Sequence, residues 1–525
     1  MWFGVFLLIL STCNAARILV YSPTISPSHM KINSAVADAL VVAGHNVVRI
    51  CVVLMQFKCV FKTIIEVHYM VDPQKVNFVK LAERKSVPNA RKLCQINYTQ
   101  THVESNEILN YLRSNHFDFA INEHVDLCGT AMAHAAGISI HVLLSTSPLF
   151  EHTALTIGLT EEINSVPAFR HHNYKPSENT LWNRMENIVD WAISYWGLRY
   201  GSQLVNEVFR SRFGDNFPDV DYLAANSALF LVNTDEFVDY PRQTRHNIVY
   251  IGGLGLSTIK TDKNSLRRNS PQLFEVINND FKDVIYFSLG SITSTKHLPP
   301  TFMENLIQTF QKFQEFQFIV KVDDANQQIL DANSTNNIHF LTWAPQRDIL
   351  SNPKTKLFIT HAGYGSILET AHAGVPVVCL PFFMDQYRNA QLAEQNGWGR
   401  VFEKQDLLYS SHSFEQAMRD VLTNQKYQKN SQRLSKILKN KPQNAEQRLN
   451  QAIRLLELAN FDLKELRPAS ANLDFVTRHN FDLVMMFSFL SFFAVQFSLY
   501  CMYKLVCFVW QTQIVKFKTV YEKIE

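Results

Sequence analysis

The chain has 525 residues, 46% hydrophobic composition and a formal net charge of +3. That length and apolar content support two or more domains with ample cores, and a near-neutral balance without a basic stretch argues against nucleic acid as a partner. Eight cysteines are too few for a disulfide scaffold.

Met1 to Leu10 is apolar, and Cys13-Asn-Ala-Ala16 offers small residues for cleavage. Residues 1–16 therefore read as a secretory signal peptide. A buried first strand is the competing reading, but Arg17-Ile-Leu-Val-Tyr21 already supplies one. Residues 17–256 read as a first α/β domain. Pro23 to Ser28 is a loop, and Met30 to Ala43 a helix with Ile32, Val36, Ala39 and Leu40 along one face, stopped by Gly44. Val47 to Leu54 is the second strand. His29 stands where the loop enters the helix, beyond a strand's C-terminal end, where open α/β sheets bind ligands. Its plain alternative is a surface loop histidine. Phe57 to Thr101 is less regular and could shape an acceptor pocket. Phe117 to Ile121 is a strand, Asn122-Glu-His-Val-Asp126 its exit loop, Leu127 to Ala136 a helix and Ile140 to Leu144 a strand. Asp126 is placed to cap that helix. Trp182, Ile188, Trp191 and Tyr195 suit a helix over an apolar pocket, with core packing accounting for most aromatics of 151–215. Leu229 to Asn233 and Ile248 to Ile251 are strands that close this half. The polar segment 257–279 reads as an interdomain linker.

Residues 280–460 repeat the alternation. Val284 to Ser288 is a strand with the turn Leu289-Gly-Ser291, Phe302 to Lys312 a helix, and Phe316 to Val320 and Ile338 to Leu341 strands. Leu357 to Thr360 is a buried strand, His361-Ala-Gly-Tyr-Gly-Ser366 a small-residue turn, Ile367 to Ala373 helical and Val377 to Leu380 another strand, together a βαβ unit. The backbone N–H groups and dipole at such a helix start suit a phosphate, and glycines let an anion approach closely. Asp385 to Asn396 and Ser413 to Leu458 are helical, the latter mostly solvated surface.

Trp343-Ala-Pro-Gln346 lies upstream of this turn, Glu369 one helical turn past Ser366, and Asp385-Gln386 after the next strand. The ordered set resembles the donor-nucleotide signature of the UDP-glycosyltransferases, the family that includes the UDP-glucuronosyltransferases. Ala362 stands where a second glycine is usual and Gly365 where Asn is frequent; both are small, so the turn should survive. Phe287-Ser-Leu-Gly-Ser291 is similar to the family segment that faces the nucleotide. Ser28-His29, a helix and Gly44-His45 are similar to the region that carries the family's catalytic base.

The resemblance implies a GT-B fold, two facing Rossmann-like domains. It implies inverting transfer of glucuronic acid or glucose from a UDP-sugar to a hydroxyl of a small lipophilic acceptor. It makes His29 the base, a role suited to an imidazole of unperturbed pKa near ~6.5, with His45 structural. A carboxylate near the strand exit should orient His29. Spacing from Phe117-Asp118 favours Glu123, with Asp126 the alternative. Trp343 would stack on uracil with Gln346 nearby, and Glu369 would accept from ribose hydroxyls. Asp385 and Gln386 would read sugar hydroxyls. His361 would contact phosphate or ribose, while Gly363, Gly365 and Ser366 meet the diphosphate and Ser288, Gly290 and Ser291 face the nucleotide. No metal or resident cofactor is implied, since the UDP-sugar is a co-substrate. Arg388 is a candidate cation for an acidic sugar, though a helical charge is usually surface. A catalytically silent membrane partner of related transferases is the alternative of another class. A Rossmann oxidoreductase is disfavoured, because no Gly-x-Gly-x-x-Gly follows the first strand.

Residues 461–482 read as juxtamembrane. Leu483 to Tyr503 is 21 residues without charge, enough at about 1.5 Å each to span the ~30 Å hydrocarbon core. Lys504, Lys516, Lys518 and Lys523 follow, and the positive-inside rule puts 504–525 in the cytosol. With the signal, this predicts a single-pass type I protein with its catalytic part in the endoplasmic reticulum lumen, where the sequons at Asn97 and Asn333 permit glycosylation. Outside the signal and the terminal segment that holds Cys501 and Cys507 lie Cys51, Cys59, Cys94, Cys128 and Cys379. In that odd set Cys51 and Cys59, or Cys94 with either, could pair. Assembly as a homo-oligomer is left open.

Overall fold

The computed structural model describes residues 15–23, 27–52, 106–159, 163–169, 180–256, 265–279, 282–323, 337–467, 473, 475–478 and 480–521. Residues 1–14 of the expected signal, the segment 53–105, both sequons, Cys59, Cys94 and the Cys51 side chain lie outside the described residues. The chain up to Arg467 forms one compact unit and residues 468–525 a second.

The first sheet comprises β1 (Arg17–Pro23), β2 (Asn46–Val52), β3 (Phe119–Glu123), β4 (His141–Ser145), β5 (Leu229–Val232) and β6 (Ile248–Tyr250). Its order is β2-β1-β3-β4-β5-β6, and every pairing is parallel. Strands covered on both faces read as continuous apolar runs, and Ile18 to Tyr21 are all buried. Helix α1 (Pro27–Val42) returns from β1 to β2 with Val36, Ala37 and Leu40 buried. Helix α2 (Cys128–Ala135) follows β3 and passes so close to the Tyr21 ring that any Cβ at Gly129 would collide with it. Connections leave β1 and β3 in opposite directions along the sheet, which opens a crevice between their C-terminal ends. Helix α3 (Leu181–Phe213) buries Leu204, Val205, Val208 and Phe209 near its end. Its first half exposes Leu181, Trp182, Met185, Ile188, Val189 and Trp196. Core packing therefore accounts for Phe169 and Phe209 but not for Trp182 or Trp196, and Trp191 stacks on Tyr195 at 5.5 Å.

The second sheet comprises β7 (Asp283–Ser288), β8 (Phe316–Lys321), β9 (Ile338–Leu341), β10 (Thr355–Thr360), β11 (Val377–Cys379) and β12 (Gly399–Val401). Its order is β12-β11-β10-β7-β8-β9, again all parallel, and its crevice opens between β7 and β10. Helix α4 (Tyr364–Ala373) follows β10 and α5 (Asp385–Gln395) follows β11.

Two segments depart from the sequence reading. The polar stretch 257–279 holds helices Ser265–Asn269 and Pro271–Asn279, whose Leu266, Leu273 and Ile277 enter the second core beside Val284, Tyr286 and Phe358. Residues 265–279 therefore pack with the second core rather than forming a bare linker. The expected helical run 413–458 divides into His412–Thr423, Gln425–Lys439 and α6 (Ala445–Leu458). A capping box of Asn444 and Gln447 starts α6. Its Leu449, Ile453 and Leu456 pack with Ile18, Val20, Phe119 and Ile121, so the chain returns to the first sheet before residue 460. His45 Nδ1 lies 3.3 Å from Glu457 Oε1 on this helix.

In the second unit α7 runs Phe481–Tyr521, 41 residues. Its segment Phe481–Ile514 is long and apolar enough to cross a membrane, by length and composition. The helix does not stop at Tyr503 as expected. Lys504 lies within it because Leu505 to Trp510 continue the apolar run. The 34 residues of that segment rise about 51 Å, so a span would call for tilt or for snorkelling of the lysine.

Candidate active site

Three strand ends of the first sheet build one network. The first turn of α1 carries His29, β3 ends on Glu123, and Thr146 follows β4. His29 Nδ1 lies 2.9 Å from Thr146 Oγ1 and 3.6 Å from Glu123 Oε2. Thr146 Oγ1 donates to Glu123 Oε1 at 3.1 Å. Asn33, one turn along α1, donates from Nδ2 to Glu123 Oε2 at 3.2 Å and to the His29 carbonyl at 3.0 Å. Burial alone would raise the Glu123 carboxyl, but the His29 and His124 imidazoles beside it outweigh that and hold it down at about 2. An ionised carboxylate only accepts. The single Thr146 hydroxyl proton is therefore spent on Glu123, and Thr146 Oγ1 must accept from His29. This network assigns the His29 proton to Nδ1 and the lone pair to Nε2.

Asp126 Oδ1 accepts from the Cys128 N–H at 3.0 Å. The N-cap position of α2 is Leu127, so Asp126 braces the turn one residue earlier than a cap would. Thr146 was not legible as a site residue. Its one signal was its place just past a parallel strand beside the crevice.

On the second sheet, α4 starts at Gly363 without a side-chain cap, which leaves its first N–H groups facing the loop. The His361 ring packs between Gly290 and Gly363: a Cβ on Gly290 would sit 2.5 Å from it, and one on Gly363 would also collide. Burial, aided by the Lys321 charge, pushes the His361 imidazole down to about 4 and keeps it neutral. Lys321 donates to the Gly290 carbonyl at 2.6 Å, and the Ser288 hydroxyl accepts from the Gly290 N–H at 3.3 Å. Ser291 and Gly365 are exposed. Ala362 sits at φ +63°, a left-handed conformation costing a non-glycine residue about 1–2 kcal/mol, which gives a physical reason for the glycine usual at this position.

Trp343 is 69% exposed and offers an open ring face. Gln346 Nε2 donates to Ser366 Oγ at 3.1 Å and to Glu369 Oε2 at 2.7 Å. Glu369 Oε1 accepts from Lys31 Nζ at 2.6 Å and Arg347 Nε at 3.0 Å. Burial opposes ionisation of Glu369, but Lys31 and Arg347 prevail and lower its pKa. Asp385 starts α5 and accepts from Asn389 Nδ2 at 2.8 Å. Burial pushes its carboxyl up to about 6 despite Asn389, Arg388 and the nearness of His29 on the opposite domain. Gln386 Oε1 accepts from the Phe382 and Phe383 N–H groups at 2.8 and 3.2 Å, which holds the turn that presents Asp385. Arg388 is not the surface charge expected. It is 2% exposed, donates to Asp239 Oδ1 at 2.6 Å and lies over the Tyr240 ring at 4.7 Å.

Two parallel sheets whose switch-point crevices are bridged by Lys31–Glu369 define a glycosyltransferase of the GT-B class. In fold the chain is similar to a solved structure described as "Crystal Structure Analysis of the Glycotransferase of kitacinnamycin", with a TM-score of 0.54 and 14% identity, over 85% of this chain and 99% of that one. The family model "UDP-glucoronosyl and UDP-glucosyl transferase" matches residues 30–519, and the chain belongs to that family. Among its relatives is the Caenorhabditis elegans protein named "Putative UDP-glucuronosyltransferase ugt-48", 32% identical over 501 residues, 91% of this chain and 93% of that protein. The ugt-47 protein of the same organism, named in the same way, is 29% identical over 509 residues, 93% of this chain and 92% of that protein. Membership makes the chain an enzyme of sugar transfer from a UDP-sugar.

Proposed function

We propose that the enzyme transfers glucuronic acid or glucose, with inversion, to a hydroxyl of a small lipophilic acceptor, with His29 as general base. The observation that carries this reading is the chain of contacts from His29 Nδ1 through Thr146 Oγ1 to Glu123, at 2.9 and 3.1 Å, which favours a proton on Nδ1 and a free Nε2. The acceptor O–H gives its proton to His29 Nε2 as its oxygen bonds to the anomeric carbon. The bond from that carbon to the diphosphate oxygen breaks, and its electron pair leaves on UDP. Glu123 stabilises the imidazolium that forms, and the start of α4, from Gly363 to Ser366, meets the charge that develops on the diphosphate. Attack opposite the leaving group inverts the anomeric centre.

Trp343 then stacks on uracil, Glu369 accepts from ribose, and Asp385 and Gln386 address the sugar. A small, narrow cleft lies just past Thr146, with the apolar Leu149, Val166, Phe169 and Trp191 and the charged Glu151, Arg242 and Arg388 in its wall. The apolar part of that wall is what supports a lipophilic acceptor in this reading. The chemistry calls for no metal or cofactor beyond the co-substrate. In this reading α7 is a single type I span with the catalytic unit in the endoplasmic reticulum lumen. The relatives' names favour glucuronic acid as the sugar.

The test is to offer purified full-length protein UDP-glucuronic acid and UDP-glucose with a panel of phenols and lipophilic alcohols. A β-linked product from the α-linked donor is expected. Retention of configuration would remove direct displacement, and UDP binding without transfer to any acceptor would favour the silent partner.

A further inference from the structure

Lys31 lies two residues past His29, in the first turns of α1, and reaches the other domain. Its Nζ is 2.6 Å from Glu369 Oε1, 338 positions away. Arg347 Nε shares that oxygen at 3.0 Å, and Gln346 Nε2 takes the other at 2.7 Å. Three donors thus meet a carboxylate that, in the reading above, accepts from ribose hydroxyls. They are not equally committed. Gln346 and Arg347 lie in helix Gln346–Ser351, on the same sheet as Glu369, and Arg347 also donates to the Gly255 carbonyl at 3.1 Å. The Lys31 side chain comes from the first domain and is 51% exposed. Exposed ion pairs hold weakly, so Lys31 is the partner that a ribose hydroxyl displaces most readily.

A displaced Lys31 has a second anion in reach. Glu369 is one helical turn from Ser366 at the start of α4, and residues so spaced lie about 5–6 Å apart. The lysine stem is long and flexible. The helix start supplies only about half a positive charge, against two phosphates and the further charge released as the sugar leaves. Lys321, the nearby cation, already donates to the Gly290 carbonyl at 2.6 Å.

We infer that Lys31 is a donor-binding residue contributed by the first domain, exchanging Glu369 for the diphosphate when the nucleotide's ribose takes that carboxylate. The inference rests on the donor-site reading proposed above. Because Lys31 shares α1 with His29, its contact with the diphosphate also draws the helix of the base toward the donor.

UDP and uridine separate this role from that of a mere latch, since both carry ribose and only one carries phosphate. Affinities of full-length wild type, Lys31→Met and Lys31→Arg for both probes are measured by calorimetry across a salt series. Lys31→Met should weaken UDP about tenfold, the scale of a charge-assisted hydrogen bond. It should leave uridine unchanged or tighter and flatten the salt dependence of UDP binding, and Lys31→Arg should restore most of the loss. Equal changes for both probes, or tighter UDP binding in Lys31→Met, would overturn the inference while the donor site stands. Wild-type protein that binds neither probe would sink the donor-site reading itself, and the inference with it.

Discussion

At the second sheet's crevice most candidate donor residues, Trp343, Gln346, His361, Ser366, Glu369, Asp385 and Gln386 among them, come from one run of chain, with Ser288 to Ser291 added from the end of β7, and most of that run is tied to neighbours within it. At the first sheet's crevice His29, Glu123 and Thr146 come from three strand ends, with 117 positions between His29 and Thr146. The donor side spreads recognition over many contacts, so losing one should cost affinity in part. The acceptor side hangs one proton transfer on one network, so losing its centre should cost most of the rate.

Removing the centre is the largest expected effect. His29→Ala should lower kcat by about 10² to 10⁴, the usual worth of general-base catalysis, with UDP affinity nearly unchanged. A matching loss of UDP affinity would erase the division between the two sides. The complementary change, Trp343→Ala, should weaken UDP by about 1–3 kcal/mol, the worth of a base–aromatic stack. Because the ring is exposed, the melting temperature should hold, and a fall in both would make Trp343 a packing residue.

Smaller effects rank the two carboxylates. Glu123→Gln should reduce kcat roughly tenfold, less than the loss of the base itself, since an amide cannot accept at both ends or balance an imidazolium. Asp126→Asn keeps an oxygen for the Cys128 N–H and should matter least; the reverse order would move the orienting role to Asp126. Stability as a function of pH gives an independent reading. The Glu123 carboxyl in the fold, at about 2, lies below its ordinary 4.5. Its contribution is therefore complete above pH 4.5 and is lost as pH falls toward 2. Thermal melts of Glu123→Gln should lose that acid slope.

The same contrast governs what the sequence made legible. Strands such as Leu357 to Thr360 stood out because burial on both faces leaves an unbroken apolar run. The candidate donor residues stood out because their order is local. Leu266, Leu273 and Ile277 were hidden by Arg267, Arg268 and Pro271 between them, so two amphipathic helices read as polar linker. An apolar stripe on α6 shows that the helix is buried but not against what, and its return to the first sheet is a tertiary fact. Thr146 and Lys31 are ordinary residue types whose roles arise from partners 23 and 338 positions away. The left-handed backbone at Ala362 was hinted at only by the glycine usual at that position, because alanine itself gives no sign of it.

The central claim is that His29, held by Thr146 and Glu123, removes the acceptor's proton. Its most direct test compares wild type and His29→Ala over acceptors of similar size but falling hydroxyl pKa, from aliphatic alcohols to acidic phenols, at saturating donor. An acidic phenol arrives partly deprotonated and needs the base less. The account predicts that the kcat deficit of His29→Ala is full on the alcohols and shrinks steadily toward the acidic phenols. A deficit of the same size on every acceptor would contradict it and leave His29 a residue that only holds the site's shape.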